Sequence, residues 1–212
     1  VMPVVKKENL AEFCDIFCEE GVFSVDESRQ YLKKAREMGF KLKIHADEIV
    51  SLGGSELAGE LKATSADHLL HASDAGIKAM AENGVVSTLL PTTAFCLREP
   101  FARAREMIDA GCAVALATDF NPGSGFTFSV PLMLGLAVIY MHMTAEEAIT
   151  ALTLNGAAAV GRADRIGSIE VGKQADLTIL QYPSYKFLPY HTGVNIVEKV
   201  IKKGELVHTA SV

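Results

Sequence analysis

The sequence predicts an α/β protein in which helices cover a parallel sheet, followed by a small antiparallel sheet. Three patterns support this: helix-spaced segments that end at glycines, near-continuous apolar runs after those glycines, and alternating short strands near the C-terminus. A glycine just past a helix supplies the left-handed C-cap and a tight turn. Apolar strands that follow such helices are typical of parallel sheets buried on both faces.

The predicted elements follow one another in a regular order. The helices that precede strands cover residues 28–38, 56–61, 73–82 and 101–110, and Ser73 is the expected N-cap of the third. The strands cover residues 13–18, 41–44, 63–66, 85–90 and 112–117. Gly39, Gly84 and Gly111 stand where three of the helices end. Their spacing is uneven, which argues against a solenoid of equal repeats.

Polar side chains follow each predicted strand. In chain order they are Glu19, then His45 and Glu48, then Asp67 and His68, then Thr92 and Thr93, and finally Asp119. The βα loops of parallel α/β proteins converge at the carboxyl ends of the strands, where catalytic groups gather. Four of the five strand ends carry His, Asp or Glu, which favours one shared site over scattered surface polarity.

The C-terminal part changes in character. Thr144 and Glu147 form a capping box before a helix predicted over 148–154. Short β stretches are predicted at 167–170 and 175–180, and a hairpin joins 197–201 to 205–207 around Lys203 and Gly204. These strands alternate in the antiparallel manner, so a small separate sheet is expected from about residue 166 onward.

Composition excludes several classes of protein. The 212 residues are 49% hydrophobic with a net charge of −6, so no basic surface for nucleic acid is expected. The longest apolar run, 130–141, contains Pro131 and Gly135 and is too short to span a membrane. Four cysteines without CxxC spacing indicate reduced core residues of a cytoplasmic protein. The chain begins Val1-Met2-Pro3, without an initiator methionine or a signal peptide, which favours a piece of a longer protein.

Residue chemistry alone leaves alternatives open at the candidate site. His45 ends a strand and has carboxylates two and three residues later, so it is either a metal ligand or a hydrogen-bonded histidine at the edge of the core. Asp119 is either a ligand and proton acceptor or a loop aspartate. The segment from Asn121 through Gly123 to Ser124 is either a plain turn or a loop that cradles an anion.

Four motifs resemble the imidazolonepropionase family of the amidohydrolase superfamily. They are KIHADE at 43–48, SADH at 65–68, ATDFNPGS at 117–124 and GKQADL at 172–177. The match runs in order along essentially the whole chain, and HADE with ADH and TDFNPGS at these separations is specific. The GxxADL pattern alone indicates only the superfamily.

The resemblance implies a fold and an incomplete site. Residues 1–165 would form about strands four to eight of a distorted (β/α)8 TIM-type barrel, and residues 166–212 the C-terminal strands of a small β-sandwich. The His-x-His that supplies two metal ligands on the first barrel strand of the family has no counterpart here. The isolated chain is therefore expected to bind metal weakly, to lack activity and to associate with itself or with a missing half.

The resemblance also implies a reaction and the residues that perform it. One zinc or iron ion, held by His45 and Asp119, would activate water for hydrolysis of 4-imidazolone-5-propanoate to N-formimino-L-glutamate in histidine degradation. Asp119 would be the base, Glu48 would bond the ring or the water, and His68 would stabilise the developing oxyanion. His45, Glu48, Asn121, Gly123 and Ser124 would contact the substrate, and the full-length enzyme would be a cytoplasmic dimer.

Two rivals remain. One is another amidohydrolase, such as a guanine or triazine deaminase, which uses similar His and Asp ligands but need not share the loop after Asp119. The other is a non-catalytic half-barrel that only binds or assembles with a partner, which the absent first-strand histidines favour for this chain.

Overall fold

The computed structural model describes residues 1–210 and divides them into two compact units. The first unit comprises Val1–Leu89 and Ala102–Val114, and the second comprises Leu90–Phe101 and the chain from Ala115 onward. The predicted domain boundary at 165/166 stays a prediction.

The first unit is built on a parallel sheet. Its strands are β1 (Phe13–Cys14), β2 (Phe17–Cys18), β3 (Lys41–Ala46), β4 (Ser65–His68) and β5 (Val86–Leu89). A further strand of the same sheet, β6 (Val114–Leu116), begins at Val114, the last residue of the first unit, and its other two residues are counted in the second. Their order is β1-β3-β4-β5-β6, and β2 also pairs with β3. The predicted strand 13–18 is two short strands, because the pairing with β3 is interrupted at Asp15 and Ile16. The predicted parallel sheet is otherwise confirmed.

The helices of residues 1–210 are short, and side chains cap the N-termini of four of them. They are α1 (Met2–Lys7), α2 (Val25–Glu37), α3 (Gly54–Glu60), α4 (Asp74–Asn83), α5 (Pro91–Leu97), α6 (Ala104–Asp109), α7 (Val130–Ile139), α8 (Ala145–Thr150), α9 (Gly156–Ala159) and α10 (Phe187–Tyr190). Helix α2 begins three residues before the predicted start, because Ser24 and Glu27 form a capping box. Ser73 caps α4 by accepting the N–H of Gly76, as predicted.

Glycines end the helices where the sequence indicates. Gly39, Gly84 and Gly111 have φ of 82°, 66° and 92°, a left-handed conformation that glycine adopts without strain. The apolar faces of the helices then pack on the sheet, and the fully buried side chains of the first unit include Leu32, Ile44, Leu57, Leu61, Leu69, Met80, Leu89 and Met107.

A second kind of glycine permits the close approach of α3 to α4. A Cβ at Gly59 would lie 2.7 Å from the Cβ of Ala79 and 2.8 Å from its carbonyl carbon and oxygen. We expect Gly59→Ala to lower the free energy of unfolding by about 1–3 kcal/mol, because the two helix backbones must separate. Gly156→Ala is the control, since a Cβ there would approach only the carbonyl oxygen of Ala151, at 3.4 Å. Equal losses from both variants, measured by chemical denaturation, would contradict the close-packing account.

The second unit contains a three-stranded antiparallel sheet. Its strands are β7 (Leu177–Leu180), β8 (Val197–Lys202) and β9 (Glu205–Thr209), in the order β7-β8-β9. The predicted hairpin around Lys203 and Gly204 is present, and Gly204 has a φ of 83°. The prediction of a strand at 167–170 is wrong. Instead, the N–H of Lys173 donates to the carbonyl of Glu170, and the Lys173 ammonium donates to Ser168, which closes a turn.

The helix predicted over 148–154 is longer and less regular than expected. The capping box of Thr144 and Glu147 starts it at Ala145, and it widens into a π-helical turn over Ala151–Asn155 before α9. Within residues 1–210, every helix is too short or too polar to cross a membrane. All four cysteines are free; three are buried as predicted, whereas Cys96 is exposed.

Candidate functional site

His45 lies inside β3 rather than after it, because the strand runs on to Ala46. The parallel register aligns His45 with Phe17 on one neighbouring strand and with Asp67 on the other. Side chains alternate along a strand, so His45 shares its face with Lys43, while Ile44 points into the buried core on the opposite face. The strand therefore fixes where the imidazole lies.

Asp15 is the nearest partner of His45. One carboxylate oxygen of Asp15 lies 2.9 Å from Nδ1 of His45. The His45 ring also contacts Phe17 edge-on, at 5.9 Å between centroids, and lies 5.3 Å from the ring of His68. Sequence reasoning missed Asp15, which lies in the interruption between β1 and β2 and so looked like part of an apolar strand.

Asp15, His45 and Asp67 form a group whose chemistry suits a metal ion. Each offers one ligand atom, and these atoms all lie within 4.8 Å of one another. An imidazole with carboxylates is a donor set that zinc and iron accept. Asp67 has other partners, since it accepts a hydrogen bond from Ser65 at 2.8 Å and lies 3.5 Å from the ammonium of Lys43. The ammonium of Lys43 thus offsets the negative charge of Asp67, whereas the carboxylate of Asp15 is paired with His45.

The hydrogen bond that the His45 imidazole donates to the Asp15 carboxylate raises the pKa of His45 above its ordinary value of 6.5, although burial of the ring opposes this. Because folding raises this pKa, the protonated histidine stabilises the folded protein. The stabilisation is complete at pH values below the pKa of the histidine in the unfolded chain, and it is lost as the pH rises through the pKa in the folded chain. In the metal-free chain, we expect Asp15→Asn to lower the pKa of His45 and to flatten this pH dependence. NMR titration of the imidazole with denaturation across pH would measure both, and an unmoved pKa would contradict the role of Asp15.

Glu48 and His68 lie together beside His45 in the first unit. His68 is the last residue of β4 and is 3% exposed, and its Nδ1 is 3.4 Å from a carboxylate oxygen of Glu48. His68 and Leu69 have φ of 76° and 62°, a left-handed conformation that costs about 1–3 kcal/mol per non-glycine residue. Such strain clusters at functional sites, where surrounding contacts hold it. His45, Glu48 and His68, three of the predicted site residues, thus lie close together in the first unit.

Asp47, between His45 and Glu48, acts on the backbone. It has a φ of 50° and no solvent exposure. One of its carboxylate oxygens accepts the N–H groups of Leu52, Gly53 and Gly54 at 3.0–3.1 Å, and the other accepts the N–H and hydroxyl of Ser55. This satisfies the otherwise unpaired amides at the start of α3. Asp47 fixes residues 52–55, which lead into α3, rather than facing a substrate.

Asp119 belongs to the second unit and is held by a threonine. It has a φ of 51°, and one of its carboxylate oxygens accepts the hydroxyl hydrogen of Thr93 at 2.8 Å. The neighbouring Thr92 donates to the carbonyl of Thr118 at 2.6 Å. Both threonines are almost fully buried at the start of α5. They orient the segment that carries Asp119, whose place relative to His45 stays a prediction.

The loop after Asp119 uses its polar groups internally. The side-chain oxygen of Asn121 accepts the N–H groups of Gly123 and Ser124, each at 2.8 Å. The Asn121 amide nitrogen donates to the carbonyl of Asp119 and to the hydroxyl of Ser124. The amides expected to cradle an anion are thus bonded to Asn121, so a substrate carboxylate would have to displace these bonds. The substrate contacts of Asn121, Gly123 and Ser124 stay predictions.

The sequence matches the model of the "Amidohydrolase family" over residues 18–207, which is most of the chain. The chain belongs to the amidohydrolase family. It is 72% identical over its whole length to half of the imidazolonepropionase of Clostridium tetani. It is 66% identical to the imidazolonepropionases of Parabacteroides distasonis and Bacteroides thetaiotaomicron, with 97% of this chain and 50% and 49% of the relatives covered. The chain thus spans about half the length of these relatives.

Solved amidohydrolase structures share the fold of this chain. A zinc-bound adenosine deaminase from Xanthomonas campestris matches 87% of the chain and 49% of its own, with a TM-score of 0.74 and 24% identity. The atrazine chlorohydrolase TrzN of Arthrobacter aurescens matches with a TM-score of 0.73 and 18% identity, covering 91% of this chain and 49% of its own. The guanine deaminase of E. coli matches with a TM-score of 0.69 and 17% identity, covering 88% and 52%. These similarities confirm the predicted amidohydrolase fold.

Proposed function

We propose that this chain supplies the C-terminal barrel strands of an imidazolonepropionase. The complete enzyme would hydrolyse 4-imidazolone-5-propanoate to N-formimino-L-glutamate in histidine degradation. The observation that carries the proposal is the 72% identity of the entire chain to half of a protein named imidazolonepropionase. The grouping of His45, Glu48 and His68 in the first unit supports it, since these are the residues to which the resemblance assigns chemistry.

A metal ion of the zinc or iron type would be held by His45 and Asp119, as the resemblance implies, together with ligands from outside this chain. Asp15 would bond Nδ1 of His45 and so direct the other ring nitrogen, Nε2, toward the ion, a common arrangement around metal-binding histidines. When bound, such an ion polarises a carbonyl and lowers the pKa of water toward about 7. His45 must lose any proton on its coordinating nitrogen before it binds the ion.

The remaining steps belong to the side chains of this chain. Asp119, oriented by the hydroxyl of Thr93, takes a proton from the attacking water. The oxygen of that water bonds to the ring carbonyl carbon, and negative charge develops on the carbonyl oxygen. His68, whose Nδ1 lies 3.4 Å from a carboxylate oxygen of Glu48, would stabilise the negative charge that develops on the carbonyl oxygen. The C–N bond then breaks, and Asp119 returns the proton to the ring nitrogen.

The proposal can be tested with a chimera in which this chain replaces the matching half of the Clostridium tetani relative. We expect the chimera to hydrolyse 4-imidazolone-5-propanoate, followed by its ultraviolet absorbance, and to leave guanine and a triazine unchanged. The unmodified relative is the control for assay conditions. Preference for guanine or a triazine would support the deaminase rivals. An inactive chimera beside an active relative would support the non-catalytic half-barrel.

Assembly and location belong to the same proposal. We infer that the complete enzyme is a cytoplasmic dimer, and light scattering on the chimera would test the dimer.

A further inference from the structure

Glu19 is a buried carboxylate that the proposed chemistry leaves unused. It follows β2 and is 1% exposed. One of its oxygens accepts the N–H groups of Glu48 and Ile49, each at 2.9 Å. The other accepts the N–H groups of Glu20 at 2.9 Å and Val50 at 3.3 Å. Four backbone amides thus converge on one side chain, and three of them belong to the turn that carries Glu48.

The turn over residues 48–50 has no helix or strand of its own to hold it. It begins at Asp47, whose left-handed φ of 50° turns the chain away from β3. An irregular segment keeps one shape only where its backbone groups find fixed partners. For the three successive amides of Glu48, Ile49 and Val50, the fixed partner is Glu19.

The backbone of Glu19 is itself held by hydrogen bonds at both its N–H and its carbonyl group. Its N–H donates to the carbonyl of Phe23, and its carbonyl accepts the N–H of Val22, each at 3.1 Å. Cys18, just before it, ends β2, which pairs with β3 through Cys18 and Ala46. The carboxylate therefore extends from a tight turn anchored to the sheet, which makes it a rigid support for the neighbouring loop.

We propose that Glu19 is a positioning residue for Glu48. Its carboxylate fixes the turn 48–50 and thereby holds the Glu48 carboxylate beside His68, 3.4 Å from its Nδ1. The catalytic part of this inference rests on the proposed function, whereas the effect of Glu19 on the turn does not.

Amide hydrogen exchange in the 212-residue chain tests the effect on the turn. Glu19→Gln keeps the shape of the side chain but places an NH₂ group against backbone donors. We expect exchange at Glu48, Ile49 and Val50 to become about tenfold faster or more, because hydrogen bonds to a charged acceptor are lost, with β4 and β5 unchanged. Asp47→Asn is the matched control, which should accelerate exchange at 52–55 instead. Unchanged exchange at 48–50, or an equal increase throughout the chain, overturns the proposal.

A double-mutant cycle in the chimera tests the catalytic part. We expect Glu19→Gln to lower kcat about tenfold or more and to change KM less than about twofold, because a displaced Glu48 fails mainly in the transition state. In the Glu48→Gln background, Glu19→Gln should cost no further activity if it acts through Glu48. If the fold-loss of kcat in the double variant instead equals the product of the losses in the two single variants, the proposal is overturned. An inactive wild-type chimera contradicts the proposed function instead, and the exchange experiment then decides the role of Glu19 alone.

Discussion

Asp119→Asn is expected to reduce turnover of 4-imidazolone-5-propanoate by the chimera about 10³-fold or more, because the change would remove the proposed general base and weaken a proposed metal ligand. Asparagine keeps the size of the side chain and can still accept the hydrogen bond that Thr93 donates. The fold should therefore persist, with an unchanged circular dichroism spectrum and a lower metal content.

Asp164→Asn is the matched control, because Asp164 is exposed in the same unit. It should leave turnover and metal content unchanged. Near wild-type turnover by Asp119→Asn would remove Asp119 from its proposed role. Loss of turnover together with unfolding would assign Asp119 a structural part.

The largest effect on stability is expected at Asp47. Asp47→Ala leaves the N–H groups of residues 52–55 without their acceptor in a buried turn, and the Ser55 hydroxyl keeps only the carboxylate of Glu56. We expect a loss of about 3–5 kcal/mol, since buried donors stripped of a charged partner keep their full desolvation cost. For a chain of this length, that corresponds to a fall in Tm of roughly 10 °C.

Asp74→Ala provides the comparison for this change in stability. Asp74 also opens a helix of the first unit, but its side chain is 91% exposed and its ion pair with Arg103 lies at the surface. Exposed pairs contribute about 0–1 kcal/mol, so the loss should be small. Thermal unfolding of both variants measures the difference. An Asp47→Ala loss no larger than that of Asp74→Ala would show that the five bonds add little.

The sequence predicted the elements that local chemistry specifies. Apolar runs that follow glycine C-caps gave the strands of the parallel sheet, because Gly39, Gly84 and Gly111 require a backbone conformation that few other residues adopt. The same reasoning failed at 167–170, where alternation looked like a strand but a lysine closes a turn. The π-helical turn over Ala151–Asn155 leaves no signal in side-chain spacing that would separate it from a regular helix.

The candidate site was predictable only in part, for a physical reason. The positions of His45, Glu48 and His68 after predicted strands indicated that they lie close together, whereas their proposed roles came from the resemblance to the family. Asp15 was missed because its contact with His45 depends on the break between β1 and β2, which is a property of strand pairing. The roles of Glu19 and Asp47 were missed as well, because a carboxylate that binds backbone amides gives the same sequence pattern as one that faces a substrate.

The hydrogen bonds that Glu19 accepts determine how the turn that carries Glu48 responds to ionic strength. Mobile ions at about 1 M shorten the Debye length to roughly 3 Å and weaken exposed pairs such as Arg29 with Glu60. Glu19 instead binds uncharged amides away from solvent, where dissolved ions do not reach. The turn that carries Glu48 should therefore keep its shape from dilute buffer to concentrated salt. Any change with added salt in the catalysis proposed for the complete enzyme would then have to originate outside this turn.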